Sequence, residues 1–144
     1  MAKVRASVTR SVNAPPQRVL EFLRDYRDAR PSILPDNYTA YRVEEGGHGG
    51  GTVFAYHLSA GSSERDFRLR VHESDEGLFE SDEKSSFVSN WTVTPTATGS
   101  MVTLKGSWDG ASGISGFFER VFAPLGLRRI YGQILDRLAS SVQA

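Results

Sequence analysis

The chain has 144 residues, no cysteine, and 17 Lys+Arg against 17 Asp+Glu, a formal net charge of zero at pH 7. Such a length suits one domain spanning residues 1–144, and balanced charge argues against a nucleic-acid partner, which draws on a basic excess. Absence of cysteine excludes a disulfide framework, a thiolate nucleophile and any cysteine-based metal site, while 39% hydrophobic residues suffice for a packed core.

Met1-Ala2-Lys3-Val4-Arg5 contains no apolar signal core, and no stretch is apolar for long enough to span a bilayer. A cytoplasmic protein is therefore expected, and the sequons at Asn37 and Asn90 read as chance matches. Residues 3–12 alternate, with Val4, Ala6, Val8 and Val12 on one face of a half-buried strand. Arg10 interrupts that face, which suggests a position near an edge or opening. Asn13-Ala14-Pro15-Pro16 ends the strand and starts a short helix whose buried side carries Val19, Leu20, Phe22 and Leu23. Residues 25–35 read as a second short helical or turn segment, interrupted by Pro31 and closed by Pro35.

From Tyr38 the pattern changes to strands. Thr39, Tyr41 and Val43 alternate with Ala40, Arg42 and Glu44, and the run Gly46-Gly47-His48-Gly49-Gly50-Gly51 separates them from residues 52–58. There Phe54, Tyr56 and Leu58 are assigned inward, which leaves His57 in water. In residues 65–73, Phe67, Leu69 and Val71 point in, and Asp66, Arg68, Arg70 and His72 point out. Ser74-Asp75-Glu76-Gly77 suggests a type I turn with a left-handed glycine, pairing Ser74 with Leu78. That register sets Arg70 opposite Asp82 and His72 opposite Glu80 on the outer surface.

Residues 86–95 and 100–108 form the last hairpin, closed by Thr96-Ala97-Thr98-Gly99. Pairing Pro95 with Ser100 sets Trp91 by Leu104, Val93 by Val102 and Phe87 by Trp108, so that one face is apolar throughout. Ser89 and Gly106 fall within that face, where small residues leave room. Residues 112–142 then carry one apolar stripe at spacings of three and four, with Pro124 and Gly126 predicting a kink or break. The sum is an α+β domain: a curved, largely antiparallel sheet, two short helices after the first strand, and a long C-terminal helix filling the concave face.

Several segments add to this order: 11–19 (Ser-Val-Asn-Ala-Pro-Pro-Gln-Arg-Val), 30–35 (Arg-Pro-Ser-Ile-Leu-Pro) and 49–53 (Gly-Gly-Gly-Thr-Val). Trp91-Thr92-Val93-Thr94-Pro95 followed by Gly99, and the tail from Phe117-Phe118-Glu119-Arg120 through Leu135-Asp136-Arg137-Leu138, complete the set. Together they resemble the START-like superfamily (SRPBCC, helix-grip) on its polyketide cyclase/dehydrase-like branch. The resemblance covers essentially the whole chain and rests on fold-level motifs. It implies a cavity between sheet and helix for a lipid, sterol, polyketide, quinone or plant hormone. Some proteins resembling this are cyclases, aromatases or dehydratases; others are carriers or sensors.

Phe54, Tyr56, Phe67, Leu69, Trp91, Leu104, Trp108, Phe117, Phe118, Val121, Phe122 and Tyr131 converge between sheet and helix. They build either a solid core or the wall of an apolar cavity. Tyr56, Ser89 and Tyr131 are the candidate polar anchors, and Tyr56 or Tyr131 the candidate acid of an enzyme. His48, His57 and His72 are expected in solvent, and none has metal-site spacing to another ligand. The glycine run lacks the Lys-Ser/Thr and following helix of a phosphate loop, and reads as a flexible loop at the cavity mouth. Asp75, Glu76, Glu80, Asp82 and Glu83 read as a solvated acidic face, and no Gly-x-Ser-x-Gly elbow accompanies the serines.

The leading expectation is a module that binds a hydrophobic or aromatic small molecule without cofactor or metal, as a monomer or homodimer. A cyclase, aromatase or dehydratase using the same cavity, and a structural protein with a filled core, are the alternatives.

Overall fold

The structure is a computed structural model that describes residues 3–60, 63–109, 116–117 and 126–143. Alternation near the N-terminus becomes β1 (Lys3–Val12), and Pro16 opens α1 (Pro16–Arg24), where its missing N–H costs nothing. A short α2 (Ala29–Ser32) follows, then β2 (Tyr38–Glu45), β3 (Val53–Ala60), β4 (Ser63–Ser74), β5 (Gly77–Asp82), β6 (Val88–Thr96) and β7 (Gly99–Asp109). The last described element is α3 (Gly126–Val142). The seven strands form one antiparallel sheet in the order β1-β7-β6-β5-β4-β3-β2.

The stripe expected of the C-terminal helix is the buried side of α3, where Leu127, Ile130, Ile134, Leu135, Leu138 and Val142 meet the core. In the preceding stretch only Gly116 and the buried Phe117 are described, both helical. The break expected at Pro124, and the positions Phe118, Val121 and Phe122, lie outside the described residues. Arg10, the polar interruption in β1, sits on an edge strand and reaches α3 through an ion pair of 3.2 Å to Asp136. A side chain at Gly132 would stand 3.0 Å from the Arg10 guanidinium, so this glycine gives Arg10 its berth. Among the described residues no helix is long and apolar enough to cross a membrane.

The β6–β7 register is the expected one: Trp91 faces Leu104, Val93 faces Val102 and Pro95 faces Ser100. Phe87 and Trp108 meet with ring centroids 6.4 Å apart. Strand β3 likewise buries Phe54, Tyr56 and Leu58, although Val53 and Ala55 on its other side are covered too.

The β4–β5 hairpin differs by one residue. Ser74 pairs with Gly77 rather than Leu78, so the loop is Asp75-Glu76, and Gly77 is strand rather than a left-handed turn residue. A one-residue slip reverses every side chain. Val71 therefore faces Glu80 and Leu69 faces Asp82, which turns both carboxylates into the interior and leaves Phe79 43% exposed. The cause lies on the other side of β5. There the Val93 N–H donates to the Glu76 carbonyl at 2.8 Å, and Gly77 is pressed against the Trp91 backbone. Outside, Arg68 and Arg70 pair instead with Glu83, at 2.9 and 3.0 Å.

His57 is on the outer face as expected, with Nδ1 2.7 Å from Asp66 and Nε2 3.7 Å from Glu64. The hydrogen bond to Asp66 raises its pKa above the ordinary 6.5. A raised folded-state pKa means that the contribution to stability is fully present below the unfolded value and is lost as pH rises through the folded one. An NMR titration of the imidazole should place its midpoint above 6.5, and Asp66→Asn should bring it back down. A wild-type midpoint at or below the ordinary value would show that the pair does not persist in solution.

Candidate functional site

The site begins with the turn after α1. The Asp25 carboxylate accepts from the backbone N–H groups of Arg27 and Asp28 at 3.2 and 3.1 Å, and the Asp25 carbonyl accepts from the Arg30 N–H at 3.0 Å. This turn aims the Arg30 side chain under the sheet, where the residue is only 5% exposed. One guanidinium nitrogen, Nη1, donates to the Leu23 carbonyl at 3.0 Å and stands 2.8 Å from Glu80 Oε2. Glu80 itself is 2% exposed. Two hydroxyls complete its shell, with Tyr26 donating to Oε2 at 2.5 Å and Ser89 to Oε1 at 2.8 Å. The guanidinium is also stacked between aromatic rings, 4.5 Å from the Tyr26 centroid and 4.8 Å from that of Trp91.

An uncompensated charge of either sign would be expensive at this depth, so each partner makes the other tolerable. Burial opposes the Arg30 charge, but Glu80 and then Tyr26 outweigh it and lift the guanidinium pKa above its usual value. For Tyr26, burial first and Glu80 second push the phenol pKa far up, so its hydroxyl keeps its proton. Asp82, the other carboxylate turned inward, has a local task. It accepts from Ser85 Oγ at 2.5 Å and from the Arg68 N–H at 3.2 Å, holding the turn after β5.

Beneath α3 this polar cluster borders a cavity of about 40 Å3. The α2–β2 region contributes Arg30, Leu34, Tyr38 and Tyr41; β3 and β4 contribute Phe54, Tyr56 and Leu69; the rest is Glu80, Phe87, Ser89, Trp91, Leu104, Tyr131 and Ile134. Tyr41 donates to the Tyr26 carbonyl at 2.6 Å. The hydroxyls of Tyr38, Tyr56 and Tyr131 have no hydrogen-bond partner among the described residues, although all three side chains line the cavity. Burial raises the pKa of each, Glu80 adds to it in all three and neighbouring phenols add to it for Tyr56 and Tyr131, so they stay neutral donors. A side chain at Gly106 would come within 2.4 Å of the Tyr131 hydroxyl, which is the room that this small residue leaves.

Of the residues singled out from sequence, Phe54, Tyr56, Leu69, Ser89, Trp91, Leu104 and Tyr131 line the cavity. Phe67, Trp108 and Phe117 are buried beside it without lining it, and Phe67 packs edge-on against Phe117 with centroids 6.0 Å apart. Phe118, Val121 and Phe122 lie outside the described residues. Arg30, Glu80, Tyr38 and Tyr41 were not anticipated as site residues, and the acidic face assigned to Glu80 and Asp82 is corrected to two buried carboxylates.

The glycine loop also differs from expectation. Rather than a free flap, it is tied to α1: the Tyr26 N–H donates to the Gly47 carbonyl at 3.0 Å, and the Gly49 N–H donates to the Arg24 carbonyl at 2.9 Å. The Gly50 N–H adds a bond of 2.7 Å to Glu73. Among the described residues no group of three or more His, Cys, Asp or Glu is placed to hold a metal.

A curved seven-stranded antiparallel sheet gripping a C-terminal helix, with two short helices after its first strand, defines a START-like (SRPBCC) helix-grip protein. The chain belongs to the polyketide cyclase/dehydrase and lipid transport family, whose model matches residues 1–143. It is similar over 100% of both chains to the KanY protein, known from an NMR solution structure, at 46% identity and a TM-score of 0.90. Two more distant structures share the fold alone. Protein CV1439 from Chromobacterium violaceum is 18% identical, covers 98% of this chain and 99% of its own, and has a TM-score of 0.71. The major latex-like protein 151 of Panax ginseng is 14% identical, with 99% of each chain covered and a TM-score of 0.73. No curated protein matches the chain significantly by sequence.

Proposed function

We propose that this protein binds a hydrophobic or aromatic small molecule between the sheet and α3. The observation that carries the reading is the set of protonated hydroxyls of Tyr38, Tyr56 and Tyr131, unpartnered among the described residues, around one aromatic-walled cavity. Three hydroxyls lining one cavity without a partner among the described residues favour a hydrogen-bonding partner brought from outside. The cavity volume of about 40 Å3 is small beside that of ordinary ligand pockets, roughly 300–1,000 Å3. Binding is therefore coupled to an enlargement of this cavity. The work of enlargement subtracts from the affinity.

A cyclase-, aromatase- or dehydratase-type enzyme would use the same groups, with Tyr56 or Tyr131 as acid. Glu80 is poorly suited to serve as its base, because Arg30, Tyr26 and Ser89 already occupy its oxygens. Binding without turnover is the reading that these contacts favour.

Native mass spectrometry of the purified protein, with organic extraction of anything released, tests the proposal directly. A stoichiometric apolar molecule is the expected result. Tyr56→Phe and Tyr131→Phe should each weaken its binding about five- to tenfold, the worth of one hydrogen bond. A clean unliganded mass together with a flat thermal-shift screen of lipids and polyphenols would leave the filled-core reading in its place.

A further inference from the structure

The charges around the cavity bear on which molecules it can take, and this step rests on the binding reading just given. Among the described residues Arg30 is the only cation lining the cavity, and it is committed to Glu80 at 2.8 Å and to the Leu23 carbonyl at 3.0 Å, with its faces covered by Tyr26 and Trp91. Glu80 is the only anion among those described residues, and it remains in the lining. The formal charge of the lining is thus zero before any ligand arrives. A carboxylate entering it would face Glu80 with no free cation among the described residues and would leave one buried negative charge uncompensated. A cationic ligand would meet the mirror-image difficulty with Arg30. The free polar groups are instead neutral donors, the hydroxyls of Tyr38, Tyr56 and Tyr131, and the surrounding wall is aromatic.

We infer that the Arg30–Glu80 pair is a charge filter, and that the cavity selects an uncharged aromatic molecule whose carbonyl or phenol oxygen is held by Tyr38, Tyr56 and Tyr131, rejecting free carboxylic acids of the same shape. The pair confers this selectivity by being already complete. An unpaired arginine in the same place would capture carboxylates, and a wholly apolar wall would not tell a ketone from a hydrocarbon. Glu80 is therefore a specificity-determining residue, although it need not touch the ligand.

Three probes of one shape separate these possibilities: 2-acetylnaphthalene, 2-naphthoate and 2-ethylnaphthalene, titrated at neutral pH by calorimetry and by quenching of tryptophan fluorescence. The ketone should bind tightest, with the carboxylate at least about tenfold weaker, because burying an unpaired charge costs more than one hydrogen bond returns. The hydrocarbon should also be weaker than the ketone, by about five- to tenfold. Glu80→Gln retains most of the hydrogen-bonding shape while freeing the Arg30 charge. It should raise naphthoate binding relative to the ketone by about tenfold or more. Equal binding of ketone and carboxylate to the wild-type protein would overturn the filter while leaving the binding reading intact. Failure of all three probes to bind would overturn the filter, and the binding reading would then be decided by native mass spectrometry. The wild-type comparison decides the matter even where Glu80→Gln does not fold.

Discussion

Arg30→Met is expected to lower the stability of the protein by about 3–5 kcal/mol, seen as a fall in the urea midpoint with an unchanged slope. Methionine fills much of the same space, so the loss comes from Glu80, left 2% exposed with two hydroxyls and no cation. The double variant Arg30→Met, Glu80→Met should be more stable than Arg30→Met alone. It removes the stranded charge and leaves the hydroxyls of Tyr26 and Ser89 and the Leu23 carbonyl to find new partners, at about 1–3 kcal/mol for each one left unsatisfied. A coupling energy of at least about 1 kcal/mol between the two positions is the signature sought. If Arg30→Met cost less than about 1 kcal/mol, the pair would have to be wet in solution. The charge filter would then lose its dry surroundings. The same comparison explains why the pair is better read as part of a site than as a fastener. A buried ion pair rarely stabilises more than apolar residues of equal volume, so the fold alone gives little reason to keep one here.

The parts legible in the sequence are those whose two faces differ in chemistry. A one-residue slip would put Trp91 and Val93 on the side opposite Val102 and Leu104, and the four do share a side. The stripe of α3 was readable for the same reason, because polar positions flank it on every turn. Arg68, Arg70 and His72 of β4 are on the expected outer face, and β4 itself was read correctly. Its hairpin partner failed because Asp75-Glu76-Gly77 satisfies the rules for a longer turn as well as for a two-residue one. The longer turn also gave plausible charge pairs on the outside. What decided the register was a contact with β6, which nothing local in 74–82 encodes. Once β5 is reversed, Glu80 points at a cation 50 positions earlier in the chain, and burial of both follows from that meeting. Reading Arg30 as a site residue would have required knowing that the Asp25 turn aims it inward. Tyr38 and Tyr41 were hidden by an irregularity, since Ala40 takes a left-handed φ of 53° and the β2–β3 register shifts between Thr39 and Arg42. A strict alternation cannot place two tyrosines three residues apart on the same side.

Gly77→Ala is expected to cost about 3 kcal/mol or more, at the upper end of what an added methyl does in a packed interior. The new Cβ would stand 1.7 Å from the Trp91 carbonyl oxygen, 2.8 Å from its carbon and 3.2 Å from Thr92 Cα, all backbone atoms that no rotamer change can remove. Either β5 separates from β6, losing the 2.8 Å bond from the Val93 N–H to the Glu76 carbonyl, or β5 shifts along its neighbours. A shift by one residue would turn Phe79 inward and Glu80 outward, dismantling the Arg30 pair and bringing the hairpin to the register its turn residues suggested. The two failures can be told apart. Separation lowers the denaturation midpoint alone, whereas a shift also alters the environment of Trp91, whose ring faces the Arg30 guanidinium at 4.8 Å. Gly106→Ala is the control, because its Cβ would meet the Tyr131 hydroxyl at 2.4 Å, the end of a side chain that can swing into the cavity. That variant should cost no more than about 1–2 kcal/mol and should chiefly reduce ligand binding. Wild-type stability in Gly77→Ala would mean that the close approach of β5 to β6 does not hold the hairpin in register, and with it the burial of Glu80 would lose its explanation.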